Sequence, residues 1–228
     1  MLLAEDLLLL LTDDDTGKPT ASGDEVDLAL GGALLIELAL AGHVDVAGPD
    51  EALRQGRLLV RNPGPTGDGL LDEALATVGQ KEGSKPQSVV TALGKRIRGR
   101  LYERLTEGGV LHAEEGRVLG IFPSHRWPAA DAAHETSIRA ELETALRNGT
   151  TSDPRTGALI SLLYALRAAH RAVDPEAVGL SKRELNGRAK GIAEGNWAAK
   201  SVRGAIDSMH AVVIAATSSA TFPGGSGG

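Results

Sequence analysis

Two phenylalanines, two tyrosines and two tryptophans are all the aromatic side chains in this 228-residue chain. Its apolar content of 42% is ordinary for a globular protein, so the core has to be assembled from Leu, Ala, Val and Ile. Small and aliphatic residues of this kind favour closely packed helices. A mainly α fold follows. There are no cysteines, which removes disulfide scaffolds, thiolate zinc sites, iron–sulfur clusters and cysteine nucleophiles together.

The chain has 30 acidic and 24 basic residues, of which 7 are Lys and 17 Arg, for a net charge of −6. The Arg excess, with abundant Ala and Gly, is the usage expected of a GC-rich bacterial genome. Nucleic-acid binding needs a cationic footprint that displaces counterions, so nucleic acid is not an expected partner. The unbroken leucines from Leu7 to Leu11 suggest a membrane anchor. The run falls far short of the about 20 residues that cross about 30 Å of hydrocarbon. Its flanks, Glu5–Asp6 and Asp13–Asp14–Asp15, carry the wrong sign for a signal peptide. A cytoplasmic location is expected, with residues 2–12 as a short buried helix or strand.

Apolar periodicity and breaker residues divide the rest. Asp13 to Lys18 reads as a turn; a calcium loop needs Gly at its sixth position, where Lys18 stands. Glu25 to Ala41 reads as a helix, with Gly31–Gly32 permitting close packing and Gly42 capping its end. Short strands follow at 43–46 and 58–60. Thr66 or Asp68 caps a helix that buries Leu70, Leu71, Ala74, Leu75 and Val78. One helix is expected from Ser88 to Glu107, stopped by Gly108–Gly109. A hairpin comes next, with strands at 110–112 and 117–122 and a turn at Glu114–Glu115–Gly116. Helices are expected at 130–148, 153–173, 181–194 and 196–219. The order of helix, glycine stop and hairpin thus recurs near 28–61 and 88–122. No linker divides the chain. The expectation is a single compact domain over 1–222, a helical-bundle core with surrounding amphipathic helices and one or two short β-hairpins. A Gly/Ser tail follows at 223–228.

The strongest local signal is Lys95–Arg96–Ile97–Arg98–Gly99–Arg100, with Arg104 beyond. On a continuous helix Val90, Leu93, Ile97, Leu101 and Leu105 form the core stripe. Lys95, Arg98 and Tyr102 then share one flank at three- and four-residue spacing. Two cationic heads pointing the same way, one a planar fork and one a point charge, suit a phosphate. The plainer alternative is a solvated face with salt bridges to Glu103 and Glu107.

A second signal runs through Val118, Leu119, Gly120, Ile121, Phe122 and Pro123 to Trp127. An apolar hairpin carrying Trp beside Arg117 and Arg126 has the make-up of a membrane-interface wedge; a strand packed on the core or an oligomer contact reads the same way. Catalytic constellations do not assemble. The six histidines lack metal-ligand spacing, and no nucleophile-elbow, dinucleotide or P-loop pattern occurs. The carboxylates Asp68, Asp72 and Glu73 read as a capped, acidic helix start. An enzyme is not expected, nor a cofactor or metal. The helix-plus-hairpin units also suggest a winged-helix DNA binder, against which the acidic total and Gly99 in the basic helix weigh.

Three segments together resemble the Golgi phosphoprotein 3 family. They are Gly31 to Leu40 (Gly-Gly-Ala-Leu-Leu-Ile-Glu-Leu-Ala-Leu), Pro65 to Leu75 (Pro-Thr-Gly-Asp-Gly-Leu-Leu-Asp-Glu-Ala-Leu) and Arg100–Leu101 through Gly109–Val110–Leu111. The resemblance runs from Leu2 to Thr221. It implies one largely helical domain with a projecting hairpin. It also implies a peripheral membrane protein that binds phosphatidylinositol 4-phosphate and holds the cytoplasmic tails of membrane enzymes. The family's headgroup pocket uses a Trp, an Arg on the helix before the Ile-Glu-Leu motif, and two Arg before the Gly-Val-Leu hairpin. By motif the last pair falls on Lys95 and Arg98, with Arg96 and Arg100 adding field. The earlier Arg falls on Gly31 and the Trp on about Ser22. Loss of one such Arg removes a charge-assisted contact of roughly 1.5–3 kcal/mol, up to about a hundredfold in affinity. The family hairpin that enters the bilayer or mediates self-association corresponds to Val118 to Phe122. The basic N-terminal extension of eukaryotic members is not expected, since Met1 begins almost on the domain.

Overall fold

The structure, a computed structural model, describes residues 1–13, 16–18, 20–21, 23–118, 122–194 and 214–215, without the side chains of 115–118 and 122–125. The expected helix at 196–219 and the tail at 223–228 lie outside the described residues.

The leucine run settles as helix. In α1 (Leu3–Leu10) every residue is buried, because a helix that is apolar all round belongs inside a bundle. It packs on α2 (Gly23–Leu40) and on α7 (Pro154–Ala165), and these three form the centre. Around them lie α3 (Gly69–Gln80), α4 (Pro86–Gly94), α5 (Ile97–Glu107), α6 (Ala133–Asn148), α8 (Ala169–Ala172) and α9 (Lys182–Ala193). Glu5 and Asp6 are buried with α1, where an uncompensated charge would be costly. Arg155 answers Asp6 at 2.7 Å and Glu37 at 2.8 Å, and His134 Nε2 lies 2.8 Å from the other Asp6 oxygen. Among the described residues no helix is long and apolar enough to cross a membrane.

Two small antiparallel sheets project from the bundle. Strands β1 (Val44–Val46) and β2 (Leu58–Val60) pair with Val44 opposite Val60. Strands β3 (Glu114–Val118) and β4 (Phe122–Arg126) pair from Glu114–Arg126 to Val118–Phe122. The expected echo is visible in how the preceding helices stop. Gly42 (φ 75°) follows α2 and Gly109 (φ 71°) follows α5. In each case the next residue donates back into the last turn, His43 N–H to Leu38 O at 2.9 Å and Val110 N–H to Leu105 O at 2.9 Å. Only a residue tolerant of the left-handed region closes a helix this way without strain.

Three expected boundaries are corrected. The helix over 88–107 is two helices, α4 and α5, broken at Lys95–Arg96, where Arg96 takes φ 58°. The segment 153–173 is likewise divided into α7 and α8 at Arg167 (φ 54°). The hairpin turn is not at Glu114–Gly116, which lies inside β3; residues 119–121 connect the strands. Gly116 looked like turn punctuation, yet the ladder pairs it with Ser124.

Candidate functional site

The break after α4 begins with two glycines. A Cβ on Gly31 of α2 would stand 2.4 Å from the Val90 carbonyl oxygen of α4. A Cβ on Gly94 of α4 would stand 2.4 Å from the Asp27 carbonyl oxygen of α2. Each glycine therefore makes room for the other helix's backbone, and α4 ends pressed against the first turns of α2. The chain then turns away through Lys95 and Arg96, and α5 returns to lay Leu101 and Leu105 in the core. A left-handed non-glycine residue costs of order 1 kcal/mol and persists only where its surroundings impose it.

This geometry separates side chains that a continuous helix would have aligned. Lys95 caps the end of α4 and Arg96 precedes α5. Both are exposed, and neither has a carboxylate partner among the described residues. Arg98 reaches back to α2. Its Nε lies 3.2 Å from Asp27 Oδ1 and its Nη2 donates to Asp27 Oδ2 at 3.5 Å, the guanidinium lying over Gly23. The pair is poorly formed, since Oδ1 accepts no hydrogen bond despite the near charge. Burial pushes the Asp27 carboxyl above its ordinary range; Arg98 opposes this and Asp24 adds to it. Arg100 is engaged elsewhere, bidentate to Glu73 at 2.7 and 3.0 Å on an exposed surface. Arg104 joins three helices, donating to Glu5 at 2.8 Å and Asp68 at 2.8 Å. Asp68 also caps α3 by accepting from Leu70 and Leu71 N–H.

Tyr102 remains one turn from Arg98 on α5 but does not share a flank with Lys95, because the break separates Lys95 from α5, and Tyr102 turns inward. It is buried, its hydroxyl lies 2.9 Å from Thr12 Oγ1, and its ring stacks on Trp127 at 3.9 Å and 7°. Trp127 therefore belongs to the anchored base of the hairpin rather than to its projecting end. Its backbone N–H donates to Gly17 O at 2.9 Å, and the φ +60° glycine there leaves no space for a Cβ beside the Trp127 backbone. Val118 and Phe122 form the last ladder pair before the connection. Leu119 and Ile121 lie outside the described residues, as does Ser22.

The sequence did not point to Asp27 as the partner of Arg98, or to Gly94 as the counterpart of Gly31. A small residue spaced along each of two helices was the available signal for the second. Nothing local marked the first, since 71 residues separate Asp27 from Arg98.

The sequence model of Golgi phosphoprotein 3 (GPP34) matches residues 3–209. The chain belongs to the Golgi phosphoprotein 3 family. A relative in Eremothecium gossypii, the vacuolar protein sorting-associated protein 74, is 31% identical over 167 residues, covering 63% of this chain and 48% of the relative. The chain thus spans about half the length of that curated relative. Gly31 is a packing residue that lets α2 and α4 touch, and no larger side chain fits there unless α4 moves.

Proposed function

We propose that this Golgi phosphoprotein 3 family protein is a non-enzymatic peripheral adaptor that docks on an anionic phospholipid surface through the α4–α5 junction. Lys95 and Arg96 meet the headgroup phosphate first, and Arg98 leaves Asp27 to complete the grip. Arg100 contributes field while it holds Glu73. Phosphatidylinositol 4-phosphate is the headgroup that the family resemblance favours. The apolar hairpin end, residues 118–122, then enters the interface or meets a second copy, and cytoplasmic tails of membrane enzymes are the protein clients.

One observation carries this reading. Two exposed cations without carboxylate partners among the described residues sit beside a third whose ion pair is poorly aligned. A phosphate offers Arg98 bidentate, charge-assisted hydrogen bonds that Asp27 does not. Juxtaposed cations also gain roughly 1 kcal/mol each near an anionic leaflet. The test is flotation with phosphatidylcholine vesicles, with and without phosphatidylserine or phosphatidylinositol 4-phosphate. Binding should require anionic lipid and be lost in a Lys95→Glu/Arg98→Glu double variant. Flotation indifferent to both changes removes the proposal.

The carboxylates opposite Arg98 and Arg100 support a second reading, an interaction or oligomerising module whose lipid site has decayed. Partners retained in pull-downs without membrane, with no anionic-lipid flotation, favour it.

A further inference from the structure

Helix α4 has a cationic cluster at its other end. A cavity of about 430 Å³ opens beside the α4 N-terminus, lined by Arg54, Gln55, Arg57, Lys85 and Gln87, with Ala215 as an apolar wall. Among the described residues no carboxylate lines it. None of the three cations has an ion-pair partner among the described residues, although the chain as a whole carries net charge −6. Like charges left together and unpaired are mutually repulsive, a cost that a bound anion removes.

Backbone hydrogen bonds bring the three positions together. Arg54 and Arg57 are the first and last residues of a tight turn, closed by Arg57 N–H to Arg54 O at 3.2 Å and permitted by Gly56 at φ 80°. That turn is sewn to β1's extension through Gly56 N–H to Ala47 O at 2.9 Å and Ala47 N–H to Arg57 O at 2.7 Å. On the other side Leu58 N–H donates to Ser84 O at 3.0 Å, and Gly83 N–H returns to Leu58 O at 2.9 Å. The turn that bears two arginines is thereby tied to the loop that delivers Lys85.

Lys85 is the N-cap of α4 and supplies no side-chain acceptor. A helix start ordinarily recruits Ser, Thr, Asp or Asn to accept its orphan amides, and its partial positive charge disfavours a cation. Here Lys85 gives no side-chain cap, and it lines one cavity together with Arg54 and Arg57. Two arginine forks and one ammonium supply donors with no acceptor, and the Gln55 and Gln87 amides can turn their NH2 groups toward the same space. Such a set matches a tetrahedral oxyanion carrying more than one negative charge.

We infer that Arg54, Arg57 and Lys85 form a second oxyanion site, specific for a phosphate monoester and distinct from the α4–α5 junction. The two sites are separated by the length of α4, nine residues or about 13 Å. The cavity volume falls within the range of small-ligand sites, about 300–1,000 Å³, large enough for more than a bare phosphate. The phosphate is carried either by a lipid headgroup or by a soluble monoester.

The experiment uses the full chain with Lys95→Gln/Arg96→Gln, so that the junction does not contribute. Inorganic phosphate is titrated while the backbone amide resonances of Gln55, Gly56, Arg57 and Gln87 are followed. Flotation uses phosphatidylcholine vesicles with and without a phosphatidylinositol monophosphate. The site predicts phosphate-dependent shifts confined to those amides, weakened about tenfold or more by Arg54→Gln/Arg57→Gln. A separate Lys85→Gln variant should show the same direction, and matched thermal melts exclude unfolding. Flotation that also depends on Arg54 and Arg57 assigns the site to a lipid headgroup, and phosphate shifts without flotation assign it to a soluble monoester. Shifts that are absent, or that persist unchanged in the Arg54/Arg57 variant, overturn the inference while leaving the junction reading untouched.

Discussion

Arg98 and Asp27 are paired by charge and not by good hydrogen bonds: the Nε–Oδ1 separation is 3.2 Å, yet Oδ1 accepts no hydrogen bond and the Nη2–Oδ2 contact is stretched to 3.5 Å. An ion pair of this quality on a half-exposed surface is worth little, about 0–1 kcal/mol. It holds the arginine in place without committing it. A self-occupied cation site of this kind exchanges its internal carboxylate for an external phosphate at small cost.

Asp27→Asn should therefore strengthen flotation on anionic vesicles, by roughly two- to fivefold. The wild type should gain the same advantage on acidification, because protonating Asp27 releases Arg98. Burial raises this carboxyl above its ordinary value near 3.8. The folded state thus holds the proton more tightly than the unfolded chain. Its contribution to stability is complete below that ordinary value and is lost as pH rises through the folded pKa. Wild type and Asp27→Asn should then converge in vesicle affinity as pH falls. Parallel binding curves for the two proteins across pH would show that Asp27 does not restrain Arg98.

Trp127 supplies a test of which part of the hairpin meets lipid. Its stacking on Tyr102 and its backbone bond to Gly17 make it part of the fold. Trp127→Ala should cost about 2–4 kcal/mol in urea unfolding. In a Trp197→Phe background, Trp127 fluorescence should resist quenching by brominated lipid even when the protein is vesicle-bound. Strong quenching would return Trp127 to the role of interfacial wedge.

Asp68 governs a different response to pH. Burial pushes its carboxyl up, but the Arg104 hydrogen bond and the Leu71 and Leu70 amides together outweigh this and leave it lowered from 3.8. A lowered acid stabilises the fold above its unfolded pKa, and that stability is lost as pH falls through the folded value. Asn caps a helix about as well as Asp but brings no charge to Arg104. Asp68→Asn should be about 1–2 kcal/mol less stable near neutrality. Its stability should also fall less steeply on acidification below about pH 4. Urea midpoints across that range decide the point, and an unchanged slope would exclude Asp68 as a contributor to acid unfolding.

The helices that were legible in the sequence are those whose burial and breakers agree. α3 is an example, with Asp68 as cap and Leu70, Leu71, Ala74, Leu75 and Val78 as its inner face. The break at Lys95–Arg96 was not legible. Leu93, Ile97, Leu101 and Leu105 keep helical spacing across it, and Lys and Arg are good helix formers. What breaks the helix is the backbone contact of Gly94 with α2, a tertiary fact far away in sequence. The site suffered the same way: the cations were visible as a cluster, but the acids that occupy Arg98 and Arg100 come from α2 and α3. The hairpin turn was misplaced because Glu-Glu-Gly resembles a turn and pairs as a strand instead.

The glycine notch makes a prediction about placing at position 31 the arginine that the family resemblance implies there. A Cβ at Gly31 would lie 2.4 Å from the Val90 carbonyl and 2.6 Å from the Gly94 nitrogen, both backbone atoms that cannot rotate away. Gly31→Ala should cost about 1–3 kcal/mol as α4 is displaced. Gly31→Arg should cost at least as much and weaken anionic-vesicle binding, since moving α4 moves Lys95. Stronger binding by Gly31→Arg would mean that the two helices separate readily.

Arg96 tests whether the strained break is kept for its charge. At φ 58° glycine is the residue the backbone prefers, while arginine there bears a conformational cost of order 1 kcal/mol. Its side chain is exposed and has no carboxylate partner among the described residues, so its removal breaks no ion pair. Arg96→Gly should therefore raise stability, by up to about 1 kcal/mol after the greater freedom of glycine in the unfolded chain is subtracted. The same change should weaken flotation on anionic vesicles, in proportion to roughly 1 kcal/mol of lost attraction. Arg96→Asn separates the two effects, because Asn tolerates the left-handed region and is uncharged. It should match Arg96→Gly in lost vesicle binding. If both variants bind anionic vesicles as well as the wild type, the strained arginine serves the turn between α4 and α5 and not the membrane.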